Sequence, residues 1–473
     1  MVRNASVNVI DINKNNPHYF QYKGRDILLI TSAEHYGAVV NNRFDYIAYF
    51  DTLVEYDLNY TRIYPGAFIE YPGLWADEDV LAPGADFITP WVRSDVDGYI
   101  GGGNKFDLNN WNPDYFERLA DFLTEAQKRD IIVEICFFNC QGETVFPYSP
   151  LHSNANIQGI GNCDYNTFQT LDNTALVNAQ LKYIEKLIIE TNKFDNIIYE
   201  FVDEPTLQLV STRKAFEWID RLIDHAVETE RNLPKKHLLT QQLELGINFA
   251  DDDRIGIITT QYIVCTMRQV GGFDALDATY PYDKPLEMNE TYYIFQWPGN
   301  FDQVAASRLE AWSFMLAGGA AYNQLNGYFT PSNPAGDHEI NRNILQGLKN
   351  LRIFLESFDY IKMRRATRVI YKASIAASVF SLMEKGRQYA VYIHHSMTNL
   401  GAGYVGLRYE PAFGDYKPSI TLCLEAGKYT ASFIEPETLT VLKKCDIISD
   451  GSEITIDCPH YTLDLAIKII VKN

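Results

Sequence analysis

Two stretches of the chain carry apolar, strand-like runs into acids. The first, Ile197-Ile198-Tyr199-Glu200-Phe201-Val202-Asp203-Glu204-Pro205, ends on two carboxylates and a proline, and the second, Lys284-Pro285-Leu286-Glu287-Met288-Asn289-Glu290, ends on one. An acetal is cleaved by a pair of such groups: a neutral carboxylic acid protonates the departing oxygen while an ionised carboxylate faces the developing oxocarbenium carbon. The pairing points to hydrolysis of a glycosidic bond. Retention of configuration needs the two carboxyl groups about 5–5.5 Å apart, and inversion about 6.5–9.5 Å with a water between them.

Glu204 is the acid/base candidate, because Pro205 stops regular pairing just after it and a carboxylate at Asp203 would push its pKa upward. Side-chain alternation selects its partner. Leu286, Met288 and Glu290 share one face, and the two apolar members mark that face as barrel interior, which predicts Glu290 in the mouth as nucleophile and Glu287 against the helix layer. A helix-capping Asp-Glu-Pro turn and a rim acid at Glu290 are the plain structural alternatives.

Acids at strand ends need strands to hold them, and the texture of the chain supplies eight. They are predicted at Ile27 to Ser32, Tyr60 to Tyr64, Ile131 to Phe138, Ile197 to Val202, Leu238 to Gln242, Ile255 to Gln261, Pro285 to Asn289 and Ala320 to Leu325. Helical patterns with one apolar face fall between them, at Phe44 to Tyr56, Pro113 to Arg129, Thr174 to Thr191, Ser211 to Glu230 and Phe301 to Leu316. Repeated βα units of this kind predict an α/β fold, a (β/α)8 TIM barrel, with its chemistry at the carboxyl ends of the strands. Long connections after the second and third strands, 65–112 and 139–172, are placed to shape a substrate cleft. The Gly101-Gly102-Gly103 run within the first lacks the strand-to-helix setting of a phosphate loop.

After the helical stretch Asn341 to Phe358 the pattern changes to short alternating runs, among them Gln388 to His394, Ser419 to Leu424, Tyr429 to Ile434 and Glu453 to Ile456. They predict a C-terminal antiparallel β-sandwich of roughly 110 residues. The division expected is therefore a catalytic barrel over 1–358, opened by a small β hairpin that closes the barrel bottom or meets the sandwich, and an accessory domain over 359–473.

At the level of these motifs the chain resembles the (β/α)8 retaining glycoside hydrolases of clan A, the cellulase-like family 5 type. The resemblance rests on Tyr199-Glu200-Phe201-Val202-Asp203-Glu204-Pro205, similar to the clan's Asn-Glu-Pro ending, on Asn59-Tyr60-Thr61-Arg62, and on Met288-Asn289-Glu290. It implies Glu204 as acid/base, Glu290 as nucleophile, Arg62 as the cation that orients the nucleophile, and Tyr262 as its hydrogen-bonding tyrosine. Arg62 as an internal ion-pair partner of Glu134 or Glu200 is the alternative. Asp203 departs from the clan's Asn, whose amide touches the sugar 2-hydroxyl; an ionised Asp accepts hydrogen bonds and cannot donate them. That departure leaves room for an unusual glycone, for an inverting enzyme in which Asp203 and Glu204 divide the work, and for a barrel that binds carbohydrate without cleaving it.

Further sugar contacts are expected from His35 after the first strand, Asn139 at the end of the third, Asn323, Gln324 and Asn326 around the eighth, and the faces of Trp297, Tyr328 and Phe329. Packing is the competing role for each. No HxH or HExxH cluster is present, so neither a metal nor another cofactor is expected.

Composition narrows the partners. With 41 Lys and Arg against 61 Asp and Glu, the formal charge of −20 repels nucleic acid and anionic membranes. No run approaches the ~18 apolar residues of a membrane span. The opening Met-Val-Arg-Asn-Ala-Ser has no apolar signal core, so a periplasmic or extracellular location is expected if a leader has been removed and a cytoplasmic one otherwise. Seven cysteines without CxxC spacing indicate buried thiols rather than a disulfide framework. Nothing in the pattern specifies an oligomeric state.

Overall fold

The structure is a computed structural model that describes residues 8–73, 80, 87–205, 211–261, 271–291, 302–399 and 408–472. Eight parallel strands form its centre: β1 (Leu29–Ala33), β2 (Tyr60–Ile63), β3 (Ile132–Asn139), β4 (Ile197–Asp203), β5 (Leu238–Gln242), β6 (Ile257–Thr260), β7 (Leu286–Met288) and β8 (Ala321–Leu325). They are hydrogen-bonded in the order β1-β8-β7-β6-β5-β4-β3-β2. The remaining seam, β1 to β2, is stapled by Asn59, whose Oδ1 accepts the Ile30 N–H at 3.2 Å and whose Nδ2 donates to Leu28 O at 2.9 Å. A side-chain amide thus replaces a ladder rung, and the sheet closes into the expected TIM barrel.

The helices around it are α1 (Tyr46–Glu55), α2 (Pro113–Lys128), α3 (Thr174–Thr191), α4 (Thr212–Glu230), α5 (Gly272–Thr279), α6 (Gln303–Leu316) and α7 (Glu339–Glu356). Their starts are legible in the sequence: Asp45, Asn112, Asn173, Ser211 and Asp302 each cap the next helix by accepting its free N–H groups. The βα alternation is incomplete. Between β5 and β6 the chain returns through turns, and the short α5 had no counterpart in the sequence reading.

Before β1, three short antiparallel strands (Asp11–Ile12, Phe20–Tyr22, Arg25–Ile27) lie across the barrel bottom, where Ile10 N donates to Asp195 O at 2.9 Å. They also reach the start of the C-terminal region, through Asn16 Nδ2 bonded to Ile361 O and Met363 O. A six-stranded antiparallel sheet, in the order 364–365, 378–384, 388–394, 464–471, 427–434, 441–449, faces a three-stranded one made from 370–373, 419–423 and 453–457. Their shared core is wholly apolar, with Val391, Ile393, Phe433, Leu465 and Ile467 at its centre. The barrel is thus followed by a β-sandwich.

Helix α6 joins the two. The sequence reading expected one apolar face for it, yet every residue from Ala305 to Leu316 is buried. The reason is that barrel and sandwich cover opposite sides: Trp312 packs between Phe354 of α7 and Tyr392 of the sandwich, with ring centroids 5.1 and 5.4 Å away. Among the described residues, no helix is long and apolar enough to cross a membrane.

Candidate active site

The barrel mouth is organised around one guanidinium. Alternation along β2 turns Tyr60, Arg62 and Tyr64 inward, while Thr61 faces α1 and bonds Tyr49 at 2.8 Å. Arg62 is fully buried and lies among four carboxylates. Its Nε and Nη2 meet Glu200 Oε2 at 2.8 and 2.5 Å, Nη1 meets Glu290 Oε2 at 2.9 Å, Nη2 meets Asp203 Oδ1 at 2.9 Å, and Nε lies 3.3 Å from Glu134 Oε1. The rings of Tyr36 and Tyr64 stand 5.1 and 5.2 Å from its carbon. A buried cation is tolerated only when paired and hydrogen-bonded, so the position of Arg62 and the positions of these carboxylates define one another.

Beneath the mouth the interior is itself acidic. Asn289 Nδ2 donates at 3.0 Å to both Glu134 Oε1 and Glu200 Oε1, and Thr259 Oγ1 donates to Glu287 at 2.9 Å. Tyr60 Oη contacts Glu134 at 2.7 Å and also touches Glu287. One phenol has one proton for two carboxyl groups, so one of them must keep its own. Burial, then the charge of Glu287, pushes Glu134 up to about 8.

This layer overturns the parity argument used above. Glu287 points into the barrel, and Met288 lies on the helix side, beside Gly272 of α5 and Phe314 of α6. The argument assumed that apolar neighbours mark the interior, whereas here the apolar layer lies between sheet and helices. Glu290 reaches Arg62 because β7 ends at Met288, which releases the chain from alternation. The same happens on β4, where Tyr199 bonds Thr191 of α3 on the outer side but Asp203, two steps further in the same phase, turns inward. There the Gln241 side-chain amide bonds both Val202 N and Val202 O in place of a ladder partner. Glu204 follows with φ +46, a left-handed conformation unusual for a residue with a Cβ.

Asp203 is saturated as an acceptor: Arg62 and Gln261 (3.2 Å) bond Oδ1, and Asn139 (3.0 Å) and the Tyr64 hydroxyl bond Oδ2. Glu204 is partly buried and its backbone N–H donates to Gln242 Oε1 at 2.6 Å. Burial, followed by the charges of Asp203, Glu290 and Glu244, holds its carboxyl well above the usual range. Burial and Asp203 also raise Glu290, but Arg62 and His35 oppose them. Of the two, Glu204, whose strongest neighbours are carboxylates, is raised the further, and Glu290, which faces a guanidinium, rises only to about 8.

Of the other expected contacts, His35 lies 3.5 Å from Glu70 Oε2, both buried, on the Glu290 side. Asn139 joins the cluster through Tyr64 and Asp203. Asn323 accepts the Ala33 N–H at 3.2 Å through Oδ1 at the β1–β8 seam, and its Nδ2 has no partner among the described residues. Gln324 and Asn326 are turned to Ser307 of α6 and Asn341 of α7. Tyr328, half-buried, stacks on His338, and Phe329, buried, packs on Tyr49. Tyr262 and Trp297 lie outside the described residues. Sequence reasoning missed Tyr64, although it shares the phase of Arg62, and also Asn289, Gln242 and Glu70. Among the described residues no group of His, Cys, Asp and Glu is arranged to hold a metal ion.

The architecture, a TIM barrel followed by a β-sandwich, recurs in solved structures. One named "Glycoside hydrolase" superposes with a TM-score of 0.62 at 10% identity over 98% of this chain and 97% of its own. A glycoside hydrolase family 5 structure from Bacteroides vulgatus ATCC 8482 gives 0.63 at 12% identity, over 98% of this chain and 93% of its own. At these identities the likeness is one of fold. No protein-family model and no curated protein matches the sequence.

Proposed function

We propose that the chain is a retaining glycoside hydrolase acting on an oligo- or polysaccharide without metal or organic cofactor. The observation that carries this reading is the Arg62 hub: it binds Glu290, at the end of β7, at 2.9 Å, and Asp203, the neighbour of Glu204 at the end of β4. In the first step the Glu290 carboxylate bonds to the anomeric carbon as the glycosidic C–O bond breaks, and Glu204 gives its proton to the leaving oxygen. In the second, Glu204 takes a proton from water, the hydroxide oxygen bonds to the anomeric carbon, and Glu290 is released. Arg62 favours the ionised form of Glu290 against burial, while burial and the neighbouring carboxylates favour the protonated form of Glu204. Asp203, already surrounded by protein donors, serves as the fixed charge beside the acid and not as the acid itself. The fold shared with named glycoside hydrolases supports the same reading.

The test is a screen of polysaccharides and 4-nitrophenyl glycosides, with the anomeric configuration of the first-formed product read by NMR. The wild type is expected to release product of retained configuration, and on a sugar–sugar linkage, whose leaving oxygen needs a proton, Glu204→Gln and Glu290→Gln are each expected to lose at least about a thousandfold in kcat/KM while staying folded. Inverted product, or near-normal turnover by either variant, would overturn the assignment.

A further inference from the structure

Next to Glu204 lie buried polar atoms that have no hydrogen-bond partner among the described residues. Gln242, 1% exposed, spends Oε1 on the Glu204 N–H, and its Nε2 has no partner among the described residues. On the other flank Gln141, 2% exposed, donates Nε2 to Asn139 O, and its Oε1 is likewise unpartnered. Cys140, between Asn139 and Gln141, is hydrogen-bonded through its N–H to Asp203 O at 3.1 Å, which ties this segment to the acid turn. A stranded buried amide costs about 1–3 kcal/mol, and such atoms persist where a ligand completes them.

The geometry points to a subsite for the leaving group, built on Gln242 and Gln141, that takes a hydroxylated sugar. The inference rests on the glycosidase reading for its direction. An acid gives its proton to the leaving oxygen, so groups gathered about Glu204 lie on the leaving side, whereas His35 and Glu70 stand on the Glu290 side. The chemistry fits a sugar: an amide N–H and an amide carbonyl offer a donor and an acceptor to its hydroxyls. A leaving group without hydroxyls completes neither atom, so the site favours sugar–sugar linkages over glycosides of the same glycone whose leaving group departs as readily but carries no hydroxyl.

Gln242→Leu and Gln141→Leu test this in two assays. In the first, kcat/KM is compared for a disaccharide and for the cyclohexyl glycoside of the same glycone, whose alcohol leaving group needs the Glu204 proton as much but carries no further hydroxyl. Each variant is expected to lose about tenfold more on the sugar–sugar linkage than on the cyclohexyl glycoside. Equal losses on both substrates would overturn the subsite, because they would place these residues in support of Glu204 alone. The second assay is independent of turnover: binding of free hexoses and pentoses, read by tryptophan fluorescence and, for folding, circular dichroism. Weakened binding in folded variants supports the subsite even for a chain that cleaves nothing, a result that would sink the hydrolase reading instead. Unchanged affinity, or no sugar binding by the wild type, overturns the subsite.

Discussion

Two buried arginines divide the labour of this molecule. Arg62, at the barrel mouth, faces Glu134, Glu200, Asp203 and Glu290, more negative groups than one cation can neutralise. Arg308, on α6 at the seam with the sandwich, is matched by one buried carboxylate, Asp464, with Nε–Oδ2 at 3.0 Å and Nη2–Oδ1 at 3.2 Å, while Glu437 approaches from the exposed side. The Tyr392 hydroxyl completes Asp464 at 2.8 Å. The Arg308–Asp464 pair matches one cation with one buried carboxylate, and the Arg62 cluster does not. Unbalanced buried charge costs stability, so its presence at the mouth marks a place where electrostatics is arranged for chemistry instead.

Replacing Arg62 with Met should separate the two sites most sharply. It leaves buried carboxylates uncompensated, and we expect turnover to fall below detection together with a stability loss of about 3–5 kcal/mol. Urea denaturation and kcat/KM on any substrate found by the screen measure the two effects. An Arg62→Met protein that keeps its activity would show the mouth to be merely another structural ion-pair cluster.

How much of this was legible beforehand differs between core and site for the same reason. The strands were visible because their runs of β-branched and aromatic residues are covered on both faces, and the helix starts because their caps are spelled out. Glu204 and Glu290 were also visible, as acids at strand ends, and Arg62 through the resemblance to the clan. Their neighbours were not, because alternation is a property of paired strands and fails where pairing stops: Asp203 is the last residue of β4, beyond its pairing with β5, and Glu290 lies two residues past the end of β7. The direction of Glu287 was misread because polarity was taken to mean outside. In a barrel whose apolar layer lies between sheet and helices, a polar residue on a strand can equally be the innermost one. The burial of α6 on two sides was beyond reach, since nothing local shows that a second domain will cover it.

The seam should respond to mutation in a second way. Arg308→Met alone strands Asp464, and we expect a loss of about 3–5 kcal/mol in unfolding free energy with kcat unchanged. Arg308→Met with Asp464→Leu should recover most of that loss, short of about 1–3 kcal/mol for the Tyr392 hydroxyl left without its acceptor. A double variant no more stable than the single one would mean that the pair specifies docking of the sandwich and does not simply balance itself. A fall in kcat to match the fall in stability would instead join seam to site and remove the distinction.

The smallest effects, and the most diagnostic in sign, are in the pH dependence of stability. Glu134 rises from 4.5 to about 8 on folding, through burial and the charge of Glu287. Between those values the folded chain keeps a proton that the unfolded chain has released, so its contribution is full below pH 4.5 and is lost as pH rises toward 8. His394 behaves oppositely. It is fully buried at the seam among Phe380, Tyr392 and Tyr409, and neither ring nitrogen has a hydrogen-bond partner among the described residues. Burial lowers it from 6.5 to about 3, so its contribution is present above pH 6.5 and is lost as pH falls through that interval. Each group changes stability by at most about 1.4 kcal/mol per pH unit within its window. Glu134→Gln should therefore flatten the decline on the alkaline side and leave the acid side alone, and His394→Phe should do the reverse, as read from urea midpoints between pH 4 and 9. If either variant flattens both limbs, the mouth and the seam unfold as one electrostatic unit and the contrast between the two arginines is a matter of degree.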